Sequence, residues 1–274
     1  MKHWKRTILK SLIHIMGLDK ASVTSCSVAE EIQPIYKITR NQQTFVFSCP
    51  NSTTRWRMDT YFSKEPATIE WLDSMKPGEV FFNIGANIGL YSIYAAKQGV
   101  KVIAFEPESQ NYALLNKNIF LNQCADSVTA LNIALAREET LGYLYMPSFE
   151  AGAALNQFNQ QIDEQGKTFS PVYKQGMISM TLDNFVNRYQ LTPDHIKIDV
   201  DGIEEDIIQG AAQVLKNTRL KSLLVEINES LAGHQALIKK IEDSGLMLIH
   251  KQDGEKIRQG QDKQVFNYLF RRKI

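Results

Sequence analysis

Apolar positions along the chain change their spacing twice. Near the start, Trp4, Ile8, Leu12 and Ile15 recur at helical intervals, and Leu9, Ile13 and Met16 widen the same arc, so residues 1–18 read as an amphipathic helix. Two short β-rich runs, 35–38 and 44–47, flank the polar Arg40-Asn41-Gln42 and predict a hairpin. Residues 60–75 read as a helix with Pro66 near its start and Lys76-Pro77-Gly78 as its stop. From Glu79 onward, β-like apolar runs at 80–84, 102–105, 128–132, 141–145, 196–200 and 223–227 are interleaved with helical stretches at 90–98, 109–122 and 203–215. Such alternation predicts an α/β fold, a parallel sheet with helices on both faces. The runs 246–250 and 265–270, separated by a polar stretch containing Asp253-Gly254, read as an antiparallel pair closing one sheet edge.

The division this predicts is a small preface at 1–78 and a main domain at 79–274. Between Met146 and Met180 lies a stretch rich in Gln and Asn that is too long for an ordinary connection. It reads either as a lid that selects the second substrate or as a tolerated surface insertion.

Composition narrows the classes. Apolar residues make up 43% of the chain and charged ones 22%, as in ordinary globular proteins. A net charge of +1 lacks the basic excess of a nucleic-acid footprint, so nucleic acid is not expected as a partner. Cys26, Cys49 and Cys124 are odd in number and far apart, which indicates reduced thiols and a cytoplasmic setting. No run approaches the roughly 18 apolar residues of a membrane span. Residues 1–18, with Lys2, Lys5, Arg6 and Lys10, read either as a helix docked on the fold or as a peripheral membrane contact.

The candidate chemistry begins at V-F-F-N-I-G-A-N-I-G-L-Y-S, residues 80–92. A strand runs into a glycine turn and then a helix, so Gly85 and Gly89 allow a ligand close to the backbone and to the N–H groups at the helix start. About 20 residues on, the second strand ends in A-F-E-P, which places Glu106 to accept hydrogen bonds from ribose hydroxyls. Counted from Gly85, the other glycine positions of a dinucleotide fingerprint hold Asn87 and Leu90, and no Walker lysine follows. Nicotinamide, flavin and ATP are thereby disfavoured.

G-A-N-I-G followed by F-E-P resembles the first motifs of Rossmann-like class I S-adenosylmethionine methyltransferases, and in particular the FkbM family. The resemblance continues through T-L-D-N-F at 181–185, I-K-I-D-V-D-G-I-E at 196–204 and Gly210-Ala211. It implies a mostly parallel seven-stranded sheet with S-adenosyl-L-methionine held by Asn83, Gly85, Asn87, Gly89 and Glu106. Asn132 would meet the adenine edge, with a plain turn amide as the other reading. Asn83 departs from the acid usual at its position, which keeps a non-catalytic cofactor-binding scaffold as an alternative. Family members transfer a methyl group, commonly to a hydroxyl oxygen of a sugar or natural product.

Ligands of such sheets sit beyond the carboxyl ends of the strands, which singles out Asn132, Asp199 and Glu226 here, along with Glu106; Asp201 follows in the same K-I-D-V-D-G-I-E run as Asp199. Asp199 or Asp201 is the expected catalytic group, orienting or deprotonating a hydroxyl of a sugar, glycan or other small acceptor. Lys197 would pair with Asp199, and Glu204 with Asp201 has the spacing of a helix cap. Asp199, Asp201 and Glu226 could also bind Mg²⁺, which the expected mechanism does not require. A nucleic-acid methyltransferase is the weaker alternative, since D-V-D-G stands where amino-methylating enzymes show an N-P-P-Y-like run. His195 is the one histidine singled out for a possible role in the chemistry. Oligomeric state has no signature in the chain.

Overall fold

A computed structural model describes residues 3–20, 22–162, 167–231, 233–252 and 264–273. The chain opens with helices α1 (His3–Ile15) and α2 (Val23–Glu31), hairpin strands β1 (Ile35–Arg40) and β2 (Gln43–Ser48), and helices α3 (Ser52–Asp59) and α4 (Pro66–Asp73). It continues with β3 (Val80–Ile84), α5 (Leu90–Lys97), β4 (Lys101–Phe105), α6 (Ser109–Leu121), β5 (Val128–Leu131), β6 (Ala134–Leu135), β7 (Thr140–Met146), β8 (Gln157–Phe158) and β9 (Tyr173–Met180). The last part holds α7 (Leu182–Tyr189), β10 (His195–Ile198), α8 (Glu204–Gln209), α9 (Ala212–Lys216), β11 (Ser222–Asn228), α10 (His234–Asp243), β12 (Leu246–Gln252) and β13 (Val265–Arg272).

Seven strands form one sheet in the order β12-β13-β11-β10-β3-β4-β5. The pairs β4–β5, β3–β4, β3–β10 and β10–β11 are parallel, and β13 runs antiparallel to both of its neighbours. The expected C-terminal hairpin is therefore present, with its second strand inserted between β11 and β12. The polar Asp253-Gly254 between its strands lies outside the described residues.

Both faces of the sheet are buried at its central strands, whereas the edge strand β12 is largely exposed. On one face, Phe81 and Leu224 meet Trp71 and Leu72 of α4, Ile93 of α5 and Leu115 of α6, together with Phe45 and Phe47 of β2. On the other, Phe82, Ile196 and Val225 meet Phe185 of α7, Ile208 of α8, Leu215 of α9 and Ile241 of α10. The hairpin is held to this core by two amides of α6. Asn122 exchanges hydrogen bonds with the N–H and C=O of Val46, at 3.0 and 2.6 Å. Asn118 accepts from Ser48 N at 2.9 Å and donates to Ile88 O at 2.8 Å. Replacing Asn118 by Leu would leave both backbone groups buried without partners, at about 1–3 kcal/mol each. A loss of at least about 2 kcal/mol in urea unfolding is expected; an unchanged midpoint would show that the clamp carries no energy.

Several expectations are corrected. Residues 60–75 are not one helix: α4 begins at Pro66, where the ring's fixed φ suits a first helical position. Helices α2 and α3 were not anticipated. The run 203–215 breaks into α8 and α9 at Gly210, whose added Cβ would stand 2.2 Å from Ala136 O. The new helix start is capped by Asp183 of T-L-D-N-F, whose carboxylate accepts from Gln213 N and Val214 N. Residues 141–145 belong not to the main sheet but to β7 of a four-stranded sheet, β6-β9-β7-β8. Its longest partner, β9, occupies the end of the segment 146–180 that reads as loop by composition, so that segment is partly strand.

Candidate active site

β3 leaves the sheet at Gly85, where φ is +80° and an added Cβ would lie 1.8 Å from the carbonyl oxygen of Asp199. The neighbouring strand passes so close that only glycine fits. Asn87 follows with a positive φ, its N–H donating to Glu106 Oε2 at 2.7 Å. Gly89, left-handed at φ +89°, opens α5. Glu106, 4% exposed, accepts from Glu108 N through its other oxygen at 2.9 Å. Burial pushes this carboxyl up to about 7, against the pull of those two N–H groups.

Two recesses flank the turn and meet at Gly85, Asn87 and Asp199, which line both. The first is lined by charged and hydroxyl-bearing groups, among them Arg57, Lys64, Glu65, Tyr61 and Tyr91. The second is walled by Phe105, Ile133, Leu135, Leu144 and Phe158, with Glu106, Asp199 and Asp201 also in its lining. A strap formed by residues 151–157 crosses beside it. Asn87 Nδ2 and Asn111 Nδ2 donate to Ala153 O at 2.9 and 3.1 Å, Arg57 Nε donates to Gly152 O at 2.6 Å, and Leu155 N donates to Asp201 Oδ2 at 2.7 Å. Ala153, Ala154 and Asn156 thus line the second recess, bringing part of the insertion to the site.

Beneath the junction lies Lys197, 1% exposed, with Nζ 2.5 Å from Asp199 Oδ2 and 5.1 Å from the centre of the Tyr91 ring. Burial opposes its charge, but Asp199 and Glu65 outweigh burial and hold the ammonium above its ordinary value. For Glu65, burial is likewise overcome, by Lys197 and Lys64, and the carboxyl sits below its ordinary value. Asp199, Asp201 and Glu226 bring one oxygen each within 4.8 Å of one another. Burial and then the Asp199 charge push Asp201 upward, and its backbone is left-handed at φ +63°.

Not every anticipated residue faces the recesses. Asn83, 1% exposed, lies under the turn, where its Nδ2 donates to Ser92 Oγ at 2.8 Å and its Oδ1 has no hydrogen-bond partner among the described residues. It lines neither recess and ties β3 to α5. Asn132 donates to both Glu106 O and Pro107 O at 2.9 Å, so its amide braces the E-P turn, as the turn reading has it, and it also lines neither recess. Asp201 and Glu204 form no capping box: α8 starts at Glu204, whose Oε1 accepts from Val200 N and Gly202 N at 3.3 and 3.2 Å. Burial raises Glu204 to about 7. Arg57, Tyr61, Lys64 and Glu65 escape the sequence reading because they come from the preface without any motif spacing, and the break at Glu65-Pro66 is the signal nearest to them. Tyr91 stands two residues after Gly89 in the glycine-turn segment, where it reads as an ordinary helix residue.

His195 lies at the opposite, amino-terminal end of β10. It bonds Glu79 Oε2 at 2.9 Å and Ser222 Oγ at 2.7 Å, and Trp71 Nε1 donates to the same Oγ at 2.8 Å. The network is buried, so His195→Gln is expected to lower Tm while leaving cofactor affinity and turnover unchanged; a selective fall in turnover would contradict this.

The family model for the methyltransferase FkbM domain matches residues 83–257, more than half of the chain. The protein belongs to the FkbM methyltransferase family. Among curated proteins it is similar to methyltransferase sdnD of Sordaria araneosa, 28% identical over 184 residues that cover 59% of this chain and 71% of sdnD. It is also similar to the AMB antimetabolite synthetase AmbE of Pseudomonas aeruginosa, 25% identical over 194 residues covering 59% of this chain and 9% of AmbE. Solved structures that superpose on it include magnesium protoporphyrin IX methyltransferase of Synechocystis (TM-score 0.49, 10% identity, 82% of this chain and 86% of that one). Another is precorrin-6y C5,15-methyltransferase of Geobacter metallireducens (TM-score 0.45, 15% identity, 76% and 87%).

As an FkbM member the protein is an S-adenosylmethionine-dependent methyltransferase, and the seven-stranded sheet is that of the class I fold. The residues present suit this cofactor. The second recess, with apolar walls and Glu106, Asp199 and Asp201 in its lining, can take a nucleoside with two ribose hydroxyls, and the first offers charges of both signs to a zwitterionic amino acid. The closely approached Gly85 lies where the two lobes join.

Proposed function

We propose that the enzyme methylates a hydroxyl oxygen of a sugar, glycan or other small hydroxylated acceptor. The observation that carries the reading is the grouping of Asp199, which lines both recesses, Asp201, which lines the second, and Glu226 of β11 within 4.8 Å of one another. When bound, S-adenosylmethionine supplies a methyl carbon made electrophilic by its sulfonium. A hydroxyl is a poor nucleophile until it sheds a proton, and a carboxylate within hydrogen-bond reach serves that need. Asp199, paired to Lys197, is suited to orienting the acceptor hydroxyl. Asp201, whose proton affinity is raised by burial and by Asp199, is suited to taking the proton. Gly85, Asn87 and Glu106 hold the donor in line, so that most of the acceleration comes from alignment. Gly89 lines neither recess and leaves room for the Leu115 side chain behind the helix start.

The same carboxylates disfavour acceptors that carry phosphate, nucleic acid included, since like charges would meet in a partly desolvated site. With labelled donor, transfer is expected to neutral methyl glycosides and not to transfer RNA; labelling of the RNA alone would overturn the reading. The mechanism needs no ion, because Lys197 already stands as the cation opposite Asp199. Turnover should survive EDTA, and a loss restored by Mg²⁺ would mean that the three carboxylates work through a metal.

A further inference from the structure

We propose that α1 is a membrane-surface anchor that lies on a bilayer bearing anionic headgroups. Among the described residues, no side chain of α1 is buried, so the docked-helix reading of its apolar face fails. Trp4, Ile8, Leu9, Leu12, Ile15 and Met16 are between 49% and 78% exposed, six large apolar side chains within thirteen consecutive positions. A contiguous apolar stripe of this kind on a soluble chain marks a surface that something covers.

Charge selects the occupant. Residues 1–18 contain Lys2, Lys5, Arg6 and Lys10 and no Asp or Glu, and the first acid, Asp19, is held by His14 Nδ1 at 2.6 Å. Arg6 and Lys10 lie on the polar side of the helical wheel, where they would face headgroup phosphates. Lys5 falls inside the apolar arc, with Nζ 5.7 Å from the Trp4 ring centre. Against a second copy of the helix, Lys5 would be buried with no acid to meet. On a bilayer its stem lies along the acyl boundary while the ammonium reaches the headgroups, and Trp4 beside it has the amphipathic ring favoured at that depth. At thirteen residues the helix is about 20 Å long, too short to cross a hydrocarbon core of about 30 Å. No helix among the described residues is long and apolar enough to do so. The anchor therefore lies along the surface, as amphipathic helices do.

This inference rests on α1 alone and stands apart from the choice of acceptor. It is tested by co-sedimentation of the full chain with phosphatidylcholine vesicles and with vesicles one-third phosphatidylglycerol. Wild-type protein is expected to pellet with the anionic vesicles and at least tenfold less with the neutral ones. Each basic residue near an anionic surface strengthens binding roughly fivefold, so Arg6→Glu with Lys10→Glu should weaken it by at least about twentyfold. Ile8→Glu with Leu12→Glu should abolish it. S-adenosylhomocysteine binding by every variant confirms that the rest of the chain is folded. The proposal is overturned if wild-type protein stays in the supernatant, or if the substitutions change nothing. It is equally overturned if light scattering finds a dimer that Leu12→Glu dissociates, because a second copy then covers the face.

Discussion

Asp201→Asn protein is expected to bind S-adenosylhomocysteine as the wild type does and to turn over roughly a hundred to ten thousand times more slowly, the range for loss of a positioned base. The substitution removes the proton acceptor and little else. Asn tolerates the left-handed backbone that position 201 adopts, and its side-chain oxygen can still receive Leu155 N. A carboxyl whose pKa is raised on folding contributes stability that is lost as pH rises through the folded value. The neutral Asn escapes that loss, so the variant's Tm should equal or exceed that of the wild type at pH 8. Wild-type turnover should climb with pH as Asp201 deprotonates, above the ordinary carboxylate range, and the variant should lose that limb. Asp199→Asn should behave differently. It leaves the buried Lys197 without its 2.5 Å partner, so Tm should fall together with turnover. If Asp201→Asn keeps wild-type kcat, the base lies elsewhere.

Glu106→Gln is expected to weaken S-adenosylhomocysteine by at least about a hundredfold, since two hydrogen bonds to a charged acceptor contribute about 1.5–3 kcal/mol each. The amide also turns an N–H₂ toward one of the two backbone donors, Asn87 N and Glu108 N, that the carboxylate now accepts. A pH signature separates this loss from general damage. With its pKa near 7 in the free protein, Glu106 is partly protonated at neutrality, whereas ribose hydroxyls donate best to the ionised form. Binding must therefore lower the pKa and release protons. Affinity should rise as pH goes from 6 to 8 and then level off. Calorimetry in buffers of different ionisation enthalpy should show proton release near pH 7 for the wild type and none for Glu106→Gln. Proton uptake by the wild type would place the ribose away from Glu106.

Much of this arrangement is readable in the chain, and the exceptions have physical causes. β3 appears at its observed bounds because V-F-F-N-I is a short apolar run cut off by Gly85. The glycine turn and Glu106 are readable because they stand at fixed spacing along one strand-turn-helix unit and the strand that follows it. β9 is hidden: Tyr173 and Ile178 are exposed and Gly176 interrupts the run, so its alternation carries little apolar signal. The break between α8 and α9 is set by a tertiary contact, the approach of Ala136 O to Gly210, which no local pattern encodes. Asn83 and Asn132 are expected at the ligand because the family resemblance implies it. Ser92 and the Glu106-Pro107 carbonyls engage them first. The charges of the first recess reach the junction from a different part of the chain, so only folding brings Arg57, Lys64 and Glu65 beside Asp199.

The reading as a hydroxyl methyltransferase is tested most directly by the atom that receives the methyl group. Wild-type and Asp201→Asn protein would be incubated with carbon-13-methyl S-adenosylmethionine and a pool of neutral glycosides, and the labelled product examined by NMR. A new methyl resonance in the methoxy region, correlated to a sugar ring proton and lost with Asp201→Asn, is the predicted result. A resonance in the N-methyl or C-methyl region, or one that Asp201→Asn leaves undiminished, would contradict it.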